Sequence, residues 1–289
     1  MRQSFMKFNE VMVMKGYADK TIRSYSDALR ALSRFYGKAP HLISSKEIYL
    51  YLLHLTESRN LSASSCNLAL AAFRFFYKYV KGVDPDDLKC FFKKRAKRLP
   101  TLLNREEIKR LLMVTANLKH RTLLMTAYAS GARSSELSLL KVTDIDSQQM
   151  TLRINEGKGK KDRFTVLPKS LLHQLKDYYR YYHPRSWLFY GSSVTVPLSK
   201  GSLYRIFVNS KHKAGIQKPG GLHLLRHSFA THMLEQGVDL KQLQSLMGHS
   251  CLSTTSLYLH LSTRHLKRLA SPLDEICQTS PSLLPPEVR

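Results

Sequence analysis

The chain has 289 residues, enough for two domains that each bury a core. Its 46 Lys and Arg against 21 Asp and Glu leave a formal charge of +25, shared between residues 1–100 (19 basic, 8 acidic) and the remainder (27 basic, 13 acidic). A field of that size in both halves points to a long polyanion, with nucleic acid as the default partner over a merely soluble cationic protein or a membrane-surface binder. Cys66, Cys90, Cys251 and Cys277 lack the paired spacing of zinc sites and are too few for a disulfide framework. No apolar run nears the ~20 residues that cross a bilayer, and no N-terminal stretch has a signal-peptide layout, so a soluble, cytoplasmic protein is expected.

Residues 1–82 read as four short helices. In the second, Ile22, Tyr25, Leu29, Leu32 and Phe35 recur at three- and four-residue steps and are expected on one face, with Gly37 as the stop. Ser44 followed by Glu47 has the spacing of a capping box and opens a third helix. Ser62 opens a fourth that ends near Gly82, and its Phe73, Phe75, Phe76, Tyr77 and Tyr79 are expected in the core rather than on a base-stacking platform. Residues 83–100 hold the basic run Lys93, Lys94, Arg95, Lys97 and Arg98 between Pro85 and Pro100, the composition of a linker able to lie along a duplex.

Residues 101–270 form the second unit. Helices are expected near 104–115 and 119–130, then a break at Gly131 and a short helix capped by Ser134 that carries Glu136. "MTLRI" and "RFTVL" are strand-like and flank a glycine- and lysine-rich hairpin tip with Lys158, Lys160 and Lys161. Five further helical stretches follow, separated by Gly or Pro, and residues 271–289, with four prolines, read as a flexible tail.

"HLLRH", residues 223–227, places an arginine between two histidines. On a helix His223 and Arg226 project about 60° apart and share a face, whereas His232 lies about 180° from His223, so one metal cannot take His223, His227 and His232 together. His227 and His232 are assigned to packing, as is Trp187.

The fragments "GARSSEL", "GKGKKDR", "HLLRHSFATHML", "LMGHS" and "STTSLYLH" occur in the order and approximate spacing of the tyrosine recombinase, or phage integrase, family. The chain resembles that family, in a simple two-domain, Xer-like form, over residues 5–270. Ala132 departs from the Leu that many relatives carry before their first arginine. The resemblance implies a mainly α protein with a small β-hairpin or sheet. It implies a four-helix core-binding domain (1–82), a basic linker (83–100), a catalytic domain (101–270) and a tail (271–289), forming a C-shaped clamp on DNA. It further implies Tyr258 as nucleophile, Arg133 and Arg226 as the phosphate-binding arginines, Lys158 as the hairpin lysine, and His223 and His249 as the two histidines. Glu136 would orient Arg133. Lys160, Lys161 and the linker cations would contact DNA, and residues after Tyr258 could pack on a neighbouring protomer. A homotetramer on inverted-repeat core sites, exchanging strands through a Holliday junction, is implied as well.

The chemistry agrees with those roles. Attack on a phosphodiester builds negative charge on the equatorial oxygens, which two rigid guanidinium forks match. A tyrosine hydroxyl, with an ordinary pKa near ~10, needs a cationic site and a proton acceptor, and His223 can accept that proton or orient the phosphate. The departing 5′ oxygen needs a proton, which Lys158 can give. A phosphotyrosyl link conserves the energy of the broken bond, so neither ATP, metal nor another cofactor is expected. Rival readings are a type IB topoisomerase-like relaxing enzyme, a DNA-binding regulator with a recombinase ancestry, and a metal-dependent phosphodiesterase built on the histidines.

Overall fold

A computed structural model describes residues 2–83, 100–155 and 162–259. The chain divides into two compact units, Met1–Arg98 and Leu99–Arg289. Lys93, Lys94, Arg95, Lys97, Arg98, Lys158, Lys160, Lys161 and the segment after Leu259 lie outside the described residues.

The first unit contains α1 (Arg2–Met14), α2 (Asp19–Tyr36), α3 (Ser45–Glu57) and α4 (Ala63–Phe76), the last prolonged by a wider π turn over Tyr77–Lys81. The Ser44–Glu47 capping box forms in both directions, which satisfies two otherwise orphaned amides at the start of α3. Its core is chiefly apolar: Phe8 and Met12 from α1, Leu29 and Leu32 from α2, Ile48 from α3, and Leu70, Phe73 and Phe76 from α4. Tyr77 sits among them and donates its hydroxyl to the Ile43 carbonyl.

Two expectations need correction here. Phe35 is 47% exposed, because each three-residue step turns the stripe back by about 60° and by Phe35 the stripe has left the core face. It covers Tyr36, Tyr51 and His54 from outside. Tyr79 is also exposed, with the Lys15 ammonium 4.0 Å from its ring centre. The π turn rotates it off the buried face that holds Phe73, Phe75, Phe76 and Tyr77.

The second unit contains α5 (Arg105–Met113), α6 (Leu118–Ser130), α7 (Ser134–Ser138), β1 (Ile145–Asp146), β2 (Thr151–Ile154), β3 (Arg163–Val166), α8 (Lys169–Tyr182), α9 (Lys200–Lys213), α10 (His223–Glu235), α11 (Leu240–Met247) and α12 (Leu252–Ser256). The sheet is antiparallel in the order β1-β2-β3, with Leu152 opposite Thr165 and Ile154 opposite Arg163. Strand β1 extends the two-stranded hairpin expected from the sequence. At two residues it is too short to show an alternating pattern.

Helix α6 is the hub of this unit and packs against α8 and α10, which places Leu123, Leu124 and Ala127 in the core. Trp187 is only partly buried. Its indole donates to the Thr195 carbonyl and Lys141 lies 5.6 Å from its ring centre, so the core assignment is corrected to a position at the core's margin. Cys66 is buried and Cys251 exposed. Among the described residues no helix is long and apolar enough to cross a membrane.

Candidate active site

Four segments build the site, and each ends where it does for a local reason. Helix α6 stops at Gly131, whose φ of 58° is left-handed. A Cβ there would lie 2.4 Å from Phe229 of α10, so the glycine also permits the close approach of the two helices. The freed Gly131 carbonyl accepts from Nη1 of Arg226.

Two residues on, Arg133 is extended and caps α7. Its amide donates to Oε2 of Glu136 at 2.7 Å and its Nη1 to Oε1 at 2.7 Å. The expected cap, Ser134, is instead the first helical residue. A carboxylate three residues after Arg133 meets both the free amide and the positive helix end, which a Ser134 hydroxyl one position later does not reach.

Arg226 is 4% exposed, and three groups hold it: the Gly131 carbonyl, the Met247 carbonyl at 2.7 Å and Nε2 of His249 at 3.0 Å. Burial, reinforced by Arg133, pulls its pKa down to about 10, so it remains charged at neutral pH. Because the guanidinium can only donate, His249 Nε2 is the acceptor, and its Nδ1 carries the proton toward Thr255 Oγ1 at 2.9 Å. Burial and the nearby arginines hold His249 down to about 4, which fits this neutral tautomer.

Tyr258 follows α12 and is 3% exposed. Its ring stacks parallel to His249 at 6.4 Å, and its hydroxyl lies 3.0 Å from Nδ1 of His227. Burial raises the Tyr258 pKa, although Arg226 and Arg133 oppose the shift. Burial also lowers His227 to about 4. The hydroxyl therefore keeps its proton and lies in hydrogen-bond contact with a neutral imidazole. The sequence alone assigns His227 to packing among the leucines; the structure makes it the hydrogen-bond partner of Tyr258. His223, one turn earlier, is exposed, with its ring 6.4 Å from that of His227. Partial desolvation by the protein around its ring lowers its pKa, and Arg226 and Arg133 add to the shift.

Arg133, Glu136, Arg226, His249 and Tyr258 are thus linked directly or through one shared neighbour, and His223 flanks them on α10. His232 hydrogen-bonds Tyr128 at 2.9 Å, as its packing assignment requires. Among the described residues no three His, Cys, Asp or Glu side chains converge as metal ligands would.

Sequence reasoning missed Arg163. On β3 the inward positions are Arg163 and Thr165, while Phe164 is 61% and Val166 40% exposed, the reverse of ordinary apolar alternation. Arg163 places Nη1 3.0 Å and Nη2 2.7 Å from the two oxygens of Glu136, and its Nε donates to the Leu246 carbonyl at 2.9 Å. Burial opposes charge on Glu136, but the hydrogen bonds from Arg163 and Arg133 hold its carboxyl at about 2. The only sequence signal was parity: an arginine two residues before an inward threonine on a strand.

Comparison with known proteins adds a lineage to this geometry. A sequence model described as "Phage integrase family" matches residues 101–265, and one described as "Phage integrase, N-terminal SAM-like domain" matches residues 5–87. The chain is 33% identical over 266 residues to tyrosine recombinase XerA of Pyrococcus horikoshii, covering 90% of each chain. It is 34% identical over 268 residues to tyrosine recombinase XerA of Pyrococcus furiosus, again covering 90% of each. Its fold resembles a crystal structure of XerA recombinase (TM-score 0.54, 28% identity, 96% of this chain and 98% of that one). It also resembles XerH site-specific recombinase in a post-cleavage complex with its difH substrate (TM-score 0.73, 24% identity, 88% and 80%), a likeness of fold.

Proposed function

The chain belongs to the phage integrase family and is a site-specific tyrosine recombinase, a DNA breaking and rejoining enzyme, and we propose that Tyr258 is its nucleophile. The observation that carries this reading is the placement of Tyr258, stacked on His249, whose Nε2 is held by a buried Arg226. In the step we infer, Tyr258 Oη attacks phosphorus, a 3′-phosphotyrosyl bond forms and the bond to the 5′ oxygen breaks. The tyrosine proton passes to an imidazole, with His227 already in contact and His223 on the same helix. Lys158 protonates the leaving 5′ oxygen. Arg133 and Arg226 stabilise the charge on the equatorial oxygens, and Glu136 orients Arg133. Rejoining reverses the step when another 5′ hydroxyl attacks the phosphotyrosine, so the chemistry balances without ATP or a resident metal.

Domain roles follow from the same reading. Residues 1–82 bind core DNA, 83–100 link the units and contact the backbone through Lys93, Lys94, Arg95, Lys97 and Arg98, 101–270 catalyse, and 271–289 are a tail. The family matches at 5–87 and 101–265 support this division. Lys160 and Lys161 would hold phosphates beside Lys158. The partner is double-stranded DNA with inverted-repeat core sites, engaged by a homotetramer through a Holliday junction, in the cytoplasm.

The test is a nicked suicide duplex. Wild-type protein should become covalently attached through Tyr258, and Tyr258→Phe should abolish the adduct while retaining DNA binding. An adduct that persists in Tyr258→Phe, or cleavage that stops on adding EDTA, would overturn the assignment. Recombinant product from two paired sites, as opposed to relaxation alone, separates a recombinase from a type IB topoisomerase-like enzyme.

A further inference from the structure

At the C-terminal end of α11 three successive carbonyls each accept from a different arginine: Leu246 from Arg163 Nε, Met247 from Arg226 Nη2, and Gly248 from Arg133 Nη2 at 3.3 Å. This is the negative end of a helix, so its free carbonyls are suited to hold cations. One carboxylate, Glu136, sits among the three guanidiniums. Arg163 takes it with two parallel bonds from Nη1 and Nη2, and the Arg133 guanidinium meets it with one.

Arg163 differs from the other two in how its bonds are spent: its Nε, Nη1 and Nη2 all have protein acceptors, and two of those three acceptors are the oxygens of Glu136. The Arg133 side chain is 21% exposed and keeps an open edge. A Glu136 shared with Arg133 alone would draw that guanidinium into a two-bond pairing, because two parallel bonds are the favoured pairing of arginine with a carboxylate. Arg163 makes that pairing instead and leaves the Arg133 guanidinium with a single bond to the carboxylate. Gly248 is part of the same arrangement. A Cβ there would lie 2.8 Å from Arg163 Cδ, and the residue's φ of 60° favours glycine independently.

We propose that Arg163 is a positioning residue for DNA cleavage: it locks Glu136 to the carbonyl end of α11 so that Arg133 and Arg226 are aimed before DNA is bound. The inference rests on the reading of Arg133 and Arg226 as the phosphate-binding pair. Lysine cannot replace it, because one ammonium cannot serve both carboxylate oxygens and the Leu246 carbonyl in fixed directions.

Among the described residues, the charged or titratable groups facing Glu136 are Arg133 at the start of α7, Arg163 on β3, and Arg226 and His223 on α10. Without Arg163, burial of Glu136 is opposed chiefly by Arg133, so its pKa rises from about 2 toward the working range. Once protonated it no longer orients Arg133. Cleavage by an Arg163→Gln variant therefore acquires an acid limb that the wild-type protein lacks.

The experiment uses the full chain and nicked suicide duplexes selected from a randomised pool by covalent capture on the wild-type protein. Single-turnover cleavage is followed from about pH 5 to about pH 8.5, with thermal melts of every variant. Arg163→Gln should be slower by about 100-fold at neutral pH. Its deficit should deepen as pH falls, and a Glu136→Gln/Arg163→Gln double variant should lose that extra limb. Arg163→Lys should remain at least about tenfold slower than wild type while melting close to it. If Arg163→Gln does not fold, Arg163→Lys decides alone. A variant-to-wild-type ratio that is constant with pH, or Arg163→Lys cleaving at the wild-type rate, overturns the proposal. If the wild-type protein captures no duplex, the cleavage reading itself fails and this inference falls with it.

Discussion

The two units bury different things. In the first, the interior is chiefly hydrocarbon and aromatic ring, with Phe8, Met12, Leu29, Leu32, Phe73 and Phe76 all essentially inaccessible, and the polar side chains buried with them, such as Ser26 and Ser33, are uncharged. In the second, a comparable apolar core is joined by Glu136, Arg163 and Arg226, each under a tenth exposed. Apolar burial is non-directional and stabilises by area, whereas a buried charge costs free energy unless its partners stand in fixed directions. The first unit is therefore built to be stable, and part of the second is built to hold charge in position.

The sharpest way to break that comparison is to remove one member of each interior. Glu136→Ala leaves Arg163 buried without its anion and should cost about 3–5 kcal/mol, and it should abolish covalent capture of DNA. Phe8→Ala should cost a similar ~3–5 kcal/mol through a cavity, with little effect on the capture step once DNA is bound. Denaturant melts and suicide-substrate capture, measured on both, separate stability from positioning. Equal loss of capture in the two variants would erase the distinction.

Next in size is Gly131→Ala. The added methyl must displace Phe229 and occupies a left-handed φ, so a loss of about 1–3 kcal/mol is expected. Since the Gly131 carbonyl holds Arg226, cleavage should slow by more than the lost stability accounts for.

Acid sharpens the contrast further. Glu136 titrates at about 2 in the folded protein against an ordinary 4.5, so its stabilisation is complete above the higher value and disappears as pH falls toward the lower. Glu47 in the first unit is also held at about 2, chiefly by Lys38 and Ser44, but it is a surface group. High salt should therefore weaken the acid sensitivity contributed by Glu47 and spare that contributed by Glu136, as pH-dependent melts at low and high NaCl would show. The smallest expected effect is Tyr79→Ala. Its ring is exposed beside Lys15, and the melting free energy should move by no more than about 0.5 kcal/mol.

Much of this was legible in the sequence wherever the determinant is local. Ser44 and Glu47 specify the start of α3, and Gly131 the end of α6. The candidate cluster of Arg133, Glu136, Arg226, His249 and Tyr258 was legible because its members sit in distinctive short motifs. What stayed hidden depends on where distant backbone atoms come to rest. Arg163 finds Leu246 across 83 residues, and His227 meets Tyr258 across 31. Neither pairing leaves a periodicity to read, and His227, one residue from Arg226, looked like filler on a buried helix. The mistaken cap at Ser134 has a different, local origin: a serine one position late competes poorly with a carboxylate three residues after Arg133 that can reach back.

The three carbonyls at the end of α11 bear on how this protein can change over generations. A side chain that anchors an arginine can be lost through a single codon, but no substitution deletes a peptide oxygen. Leu246 and Met247 can drift among residues of similar size without releasing Arg163 or Arg226. Heritable variation can reach this anchorage most directly at Glu136, whose carboxylate is a side chain, and at Gly248, where any larger residue intrudes on Arg163.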